Sequence, residues 1–144
     1  MTDYETPDDE RAEAEIAAVL VEKWKLSGTG KMPKFYSLDC AAIRADNDNG
    51  VERIEAFIEI KDRSRVFGDG KGLWLSLFKV LNAHLLTGAT GLPCMLVVRF
   101  LGGEIHWCFL HAYDRSIGPF WFGRNGRAAE PCVSFPWHEF KRVA

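Results

Sequence analysis

A chain of 144 residues suits one domain, and folding at that length buries roughly 70% of the surface that the unfolded chain exposes. Apolar residues make up 47% and charged residues 26%, which excludes a chain that is disordered over most of its length. The net charge of -2 excludes a strongly basic protein that coats nucleic acid, but not an enzyme whose cations gather on one face.

The first stretch, MTDYETPDDE, is acidic and polar and has no secretory character. Residues 1–9 read as a disordered acidic tail and 10–144 as a single domain. A helix starts near residues 7–9, where Asp8 or Asp9 is placed to cap it and Glu10 and Glu13 suit its first turns. Ile16, Ala17, Leu20 and Trp24 share one face of that helix, and Ser27-Gly28-Thr29-Gly30 stops it. Residues 34–44 read as a strand, 45–50 as a turn ending in Asn-Gly, and 51–63 as a second, alternating strand that closes a hairpin. A Gly-rich loop follows over 64–72, and then a buried helix over 73–87 ended by Gly88 and Gly91. Residues 92–101 and 104–113 form another strand pair around Gly102-Gly103. The aromatic tail ends in a short strand or turn at 133–137 and one helical turn at 138–142. The order helix-strand-strand-helix-strand-strand predicts an α/β (α+β) fold around one central mixed sheet.

The four cysteines, Cys40, Cys94, Cys108 and Cys132, form no CxxC pair and sit in apolar or mixed runs. They read as reduced, buried thiols of a cytoplasmic protein rather than as zinc ligands. The stretch Gly28-Thr29-Gly30-Lys31 fails the spacing of a phosphate-binding loop, because Lys25 stands at the first glycine position and Met32 follows the lysine. No apolar run is long enough to cross a bilayer as a helix.

The chemistry concentrates in the hairpin. Side chains alternate along a strand, so Glu55, Phe57, Glu59 and Lys61 point one way and Ile54, Ala56, Ile58 and Ile60 the other. Asp39 is the one acid in the first strand, amid apolar neighbours, where an unpaired carboxylate is costly. A hairpin centred on 45–50 pairs residues whose numbers sum to roughly 95–98, which sets Asp39 opposite 57–59. Two carboxylates and an ammonium then converge from neighbouring strands. Oxygen donors of this kind suit Mg²⁺, and a nearby lysine suits water orientation or phosphate charge.

An acid in a hairpin followed by Glu59-Ile60-Lys61 resembles the PD-(D/E)xK nuclease superfamily, which includes restriction endonucleases and Holliday-junction resolvases. Asp39 stands for the family's first acid, with Leu38 in the usual proline place, and the element order over about 10–113 is similar to the family core. The phrasing around Ser37-Leu38-Asp39, Ile58 to Arg63 and Thr90-Gly91-Leu92-Pro93 looks like small phage-encoded members. The resemblance implies that Asp39, Glu59, the Ile60 carbonyl and Glu13 hold Mg²⁺ or Mn²⁺, with Glu15 as the alternative helix acid. It implies Lys61 and Lys79 as catalytic cations. Arg63, Arg65, Lys71 and Ser76 are then the residues that hold DNA, and a homodimer is the arrangement that cuts both strands of a duplex.

Two other readings compete. The chain is a catalytically silent nuclease fold that binds nucleic acid or partners, or it is an unrelated α+β interaction domain whose carboxylates are surface groups. The intact Asp…Glu-x-Lys set favours the nuclease.

Overall fold

In this computed structural model the described residues are 7–33, 38–70, 72–111, 119–122 and 129–144. Helix α1 spans Pro7–Trp24 and starts inside the 7–9 window expected from the sequence, with Pro7 in the first turn, where a missing N–H costs nothing. Asp8, Asp9 and Glu10 therefore sit inside the first turn, facing the positive end of the helix dipole, and the expected acidic tail to residue 9 gives way to helix at Pro7. Ile16 and Leu20 are fully buried, which stabilises each placement by roughly 1.5–3 kcal/mol.

Strands β1 (Gly28–Lys31), β2 (Cys40–Ala45), β3 (Glu52–Asp62), β5 (Cys94–Arg99), β6 (Ile105–Phe109) and β9 (Lys141–Arg142) form a six-stranded sheet in the order β1-β2-β3-β5-β6-β9. The sheet is mixed, since β3 and β5 run parallel and the other neighbours are antiparallel. The hairpin β2–β3 has the register Cys40↔Ile58 and Ala42↔Ala56, then shifts by a bulge to Ile43↔Ile54. Its turn is fastened by Asp46, whose side chain accepts from Asp48 N at 2.8 Å, and by Gly50 at φ 70°.

Three elements depart from the sequence reading. Ser27-Gly28-Thr29-Gly30, expected to stop the helix, runs into strand β1 (Gly28–Lys31), because the backbone there pairs with β2 from Gly28↔Ile43 to Lys31↔Cys40. The run expected as one helix over 73–87 divides into strand β4 (Gly72–Ser76) and helix α2 (Leu77–Thr90). Leu73 and Leu75 are buried and Trp74 is exposed, the alternation of a strand, and Ser76 caps the helix by accepting from Phe78 N at 3.2 Å. Gly91, at φ 74°, ends α2 in the left-handed cap, whereas Gly88 lies within it. The third difference is a second sheet of three strands, β4-β8-β7, with β7 over Pro119–Phe122 and β8 over Glu130–Pro136. The turn expected at 138–142 is a 3-10 turn at Trp137–Glu139 that leads into β9.

Two apolar layers clothe the central sheet. On one face α1 packs Ile16 and Leu20 against Cys40, Ala42, Ala56, Ile58, Ile60 and Val97. On the other face α2 and the second sheet bring Val80, Ala83, Leu73, Leu75, Val133 and Phe135 against Ala41, Phe57, Leu96 and Val98. All four cysteines are buried, and none of them is in a disulfide among the described residues. No helix among the described residues is long and apolar enough to cross a membrane.

Candidate active site

Alternation along β3 turns Glu59 to the face that α2 covers. Its side chain is 1% exposed, so its carboxylate requires partners to offset the loss of water. Two lysines supply them. Lys61 Nζ lies 3.1 Å from Glu59 Oε2, and Lys79 Nζ lies 3.3 Å from the same oxygen and 3.4 Å from Oε1. Lys61 reaches Glu59 from two positions along the same strand, and Lys79 descends from the first turn of α2.

Asp39 immediately precedes β2. Its backbone N–H donates to the Ile58 carbonyl at 3.0 Å, and its Oδ2 accepts from Ile60 N at 2.7 Å. These two bonds hold Asp39 alongside the Glu59 position of β3. Burial first, and then the Glu59 charge, raise the Asp39 carboxyl from its ordinary 3.8 to about 7, against the Ile60 hydrogen bond that lowers it. The charge of Glu13 on α1 also acts on Asp39, and Lys61 opposes it. The neighbouring Cys40 thiol is pushed up to about 12, first by burial and then by Asp39, Glu13 and Glu59, so it stays protonated and unreactive.

Glu13 is 16% exposed and pairs with Lys31 Nζ at 3.3 Å. Lys31 is a residue the sequence reading left out. Its place beside Cys40 in the β1–β2 pairing brings it to this corner, and its only sequence signal was a lysine just past the helix stop, in a stretch that fails the phosphate-loop spacing. Glu15 is turned elsewhere: it pairs with Arg99 Nη1 at 2.8 Å, and Arg99 also binds Asp62 at 3.1 Å, which holds the guanidinium charge firmly.

The structure thus gathers Asp39, Glu59, Lys61 and Lys79, with Glu13 acting on Asp39 from α1. The strand-holding candidates scatter. Arg63, past the end of β3, lines an open groove of about 420 Å³ with Ser64, Arg99 and the turn 101–103. Arg65 hydrogen-bonds the Asp69 carbonyl and lies 5.5 Å from the centre of the Trp137 ring, so it fastens its own loop. Ser76 donates to Glu130 Oε1 at 2.6 Å while it caps α2. Lys71 lies outside the described residues.

Among the described residues no three acidic, histidine or cysteine side chains stand close enough to cage a metal by themselves. A hard divalent ion such as Mg²⁺ needs no such cage, since it keeps several waters and takes one or two carboxylates. Asp39, Glu59 and the Ile60 carbonyl are hard oxygen donors. The Glu59 charge already raises the cost of ionising Asp39, which a cation held beside both would relieve. The donor set fits.

Residues 1–143 match the model of the family described as "Phage putative PDDEXK endonuclease". Among solved structures, the chain resembles the Holliday junction resolvase Hjc of the archaeal hyperthermophile Archaeoglobus fulgidus, with a TM-score of 0.50 and 16% identity. The alignment covers 87% of this chain and 82% of that one, and it shows the restriction-endonuclease-like fold. No curated protein matches the chain in sequence.

Proposed function

The chain belongs to the phage PDDEXK endonuclease family, and from that membership and the geometry of the site we propose that it is a Mg²⁺- or Mn²⁺-dependent nuclease that hydrolyses phosphodiester bonds in DNA. The observation that carries this reading is the buried Glu59, placed beside Asp39 and between two lysine ammonium groups. Few structural needs would bury such a set in a chain this small, and phosphoryl chemistry uses all of it.

Asp39, Glu59 and the Ile60 carbonyl would hold the ion, with Glu13 the fourth oxygen donor. The ion, when bound, withdraws charge from the phosphate and acidifies water. The protein supplies the rest. Lys61, tethered to Glu59, holds its ammonium where it can donate to an attacking water or to a phosphate oxygen as charge develops there. Asp39 is ready to lose its proton near neutrality, so the acidic pair becomes fully charged at the pH where a cation is to be held. Arg63 in its groove and Lys71 are assigned to the DNA backbone. Arg65 and Ser76 serve that surface indirectly, one by fixing the loop and the other by fixing the start of α2.

Two strands call for two sites. We place a second copy against the outer face of α2, where Phe78, Leu81 and Leu85 are 63%, 53% and 72% exposed at helical spacing. Residues 80–90 carry no Lys, Arg, Asp or Glu, so two such faces meet without like-charge repulsion. Sedimentation at rising concentration should show a dimer that Leu85→Glu dissociates, and a monomer throughout would refute this pairing. A cytoplasmic setting suits the four buried thiols.

The direct test is cleavage. Plasmid, single-stranded and junction DNA are incubated with Mg²⁺ or Mn²⁺ and wild-type protein, Lys61→Ala or Glu59→Ala. Wild-type cutting should fall by about 10²–10⁴ in Lys61→Ala. Cutting that survives both substitutions would remove the site from the reaction, and an inert wild type across all substrates would favour the catalytically silent reading.

A further inference from the structure

Glu59 has one carboxylate and two ammonium partners. Lys61 bonds a single oxygen at 3.1 Å, while Lys79 straddles both oxygens at 3.3 and 3.4 Å. The straddling position is where a cation bound by Glu59 would also gain most. Lys79 is 27% exposed along its side chain against 1% for Glu59, so the lysine touches water that the carboxylate does not. Its origin matters as well. Lys79 comes from α2, a different element from the strand that carries Glu59 and Lys61, and its flexible four-carbon stem lets the head move without moving β3. A third lysine, Lys31, pairs with Glu13 at the same corner but is 56% exposed, so it is held more loosely.

Resting on the metal-dependent reading above, we propose that Lys79 is a positioning residue that acts as a placeholder cation. It occupies the Glu59 carboxylate until a divalent ion arrives, and it must leave both oxygens for that ion to bind. The two cations compete for one buried carboxylate, because three positive charges cannot crowd one negative group without strong repulsion. The exchange has two consequences. The empty site keeps the Glu59 carboxylate paired and correctly aimed, so no unpaired buried charge has to be tolerated. Divalent binding is also weaker than Asp39 and Glu59 alone would give, and the displaced ammonium becomes available at the moment the site is loaded.

The test uses Mn²⁺ alone, with no DNA, measured by calorimetry on the full chain. Wild type should bind Mn²⁺, and Asp39→Asn should lose most of that binding. Lys79→Met should bind Mn²⁺ more tightly, by the 5–150-fold typical of coupled sites. Its metal-free melting temperature should fall, and Mn²⁺ should raise it by more than it raises that of wild type. A merely structural lysine would weaken Mn²⁺ binding or leave it unchanged when removed, and either result overturns the proposal. A second measurement needs no variant: amine labelling of wild type, followed by mass spectrometry, should show Lys79 reacting faster when Mn²⁺ is present. Equal or slower labelling also overturns it. If wild type binds no Mn²⁺, or Asp39→Asn binds it equally well, the metal reading itself fails. Asp39-dependent binding that Lys79→Met does not tighten defeats only the placeholder.

Discussion

Asp39 carries the pH behaviour of the site. Burial first, and then Glu59, hold its carboxyl at about 7 in the folded chain against an ordinary 3.8. Between roughly pH 4 and pH 7 the folded protein therefore keeps a proton that the unfolded chain has released, so raising the pH across that window costs stability. Below the window both states carry the proton, and above it neither does. Asp39→Asn retains an oxygen acceptor for Ile60 N and removes the titration. The metal-free variant is expected to exceed wild type in stability by roughly 2–4 kcal/mol near pH 8. That advantage should shrink as the pH falls toward about 4. Urea denaturation at both pH values measures it, and a constant difference would show that Asp39 does not titrate across that window. The same proton must leave before a cation can use Asp39, so Mn²⁺ affinity in calorimetry should rise between about pH 6 and pH 8.

At the level of elements, the packing of β4 on β8 gives the sharpest expectation. A Cβ on Gly72 would lie 2.5 Å from the Phe135 carbonyl oxygen, a backbone atom that cannot step aside. Gly72→Ala should cost about 1–3 kcal/mol in thermal or urea unfolding through this overpacking. The helix that follows depends on its cap, and Ser76→Ala should cost about 1 kcal/mol. A wild-type melting curve for Gly72→Ala would mean that the second sheet is looser than drawn. These same residues show where the sequence was readable. Glu59 and Lys61 declared their shared face through strict alternation, and the hairpin sum brought Asp39 to them because the register near the site is 98. The run from Leu73 misled because leucines at 73, 75, 77 and 81 satisfy the strand period and the helix period in turn, and only Ser76 marks the boundary. Strand β1 was illegible because Gly-Thr-Gly-Lys has little strand propensity of its own and pairs through backbone bonds to β2. Lys79 was legible as a charge amid apolar helix positions, but Lys31 was not, since nothing local says which strand lies beside it.

On the scale of the whole molecule, the site joins parts that are distant along the chain. Strands β3 and β5 are parallel neighbours, so the chain between them has to cross over, and it does so through β4 and α2. At the mouth of that crossover Arg99 ties Asp62 at the end of β3 to Glu15 on α1. Arg99→Ala removes both pairs from a partly exposed guanidinium, and it should lower the unfolding free energy by about 1 kcal/mol at low salt, with a smaller difference from wild type at high salt. Unfolding in low and high salt, compared between variant and wild type, measures this. An unchanged salt response would show that the three-residue tie carries no load.

The crossover has a mechanical consequence. Lys79 sits one turn beyond Ser76, Ser76 ends β4, and β4 is zipped to β8 from Gly72↔Pro136 to Ser76↔Cys132. The ammonium beside Glu59 is therefore positioned, through the first turn of α2, by the pairing of β4 with β8. A substitution that loosens this pairing is therefore expected to disturb the reach of Lys79 to Glu59 along with the packing of the second sheet on the core.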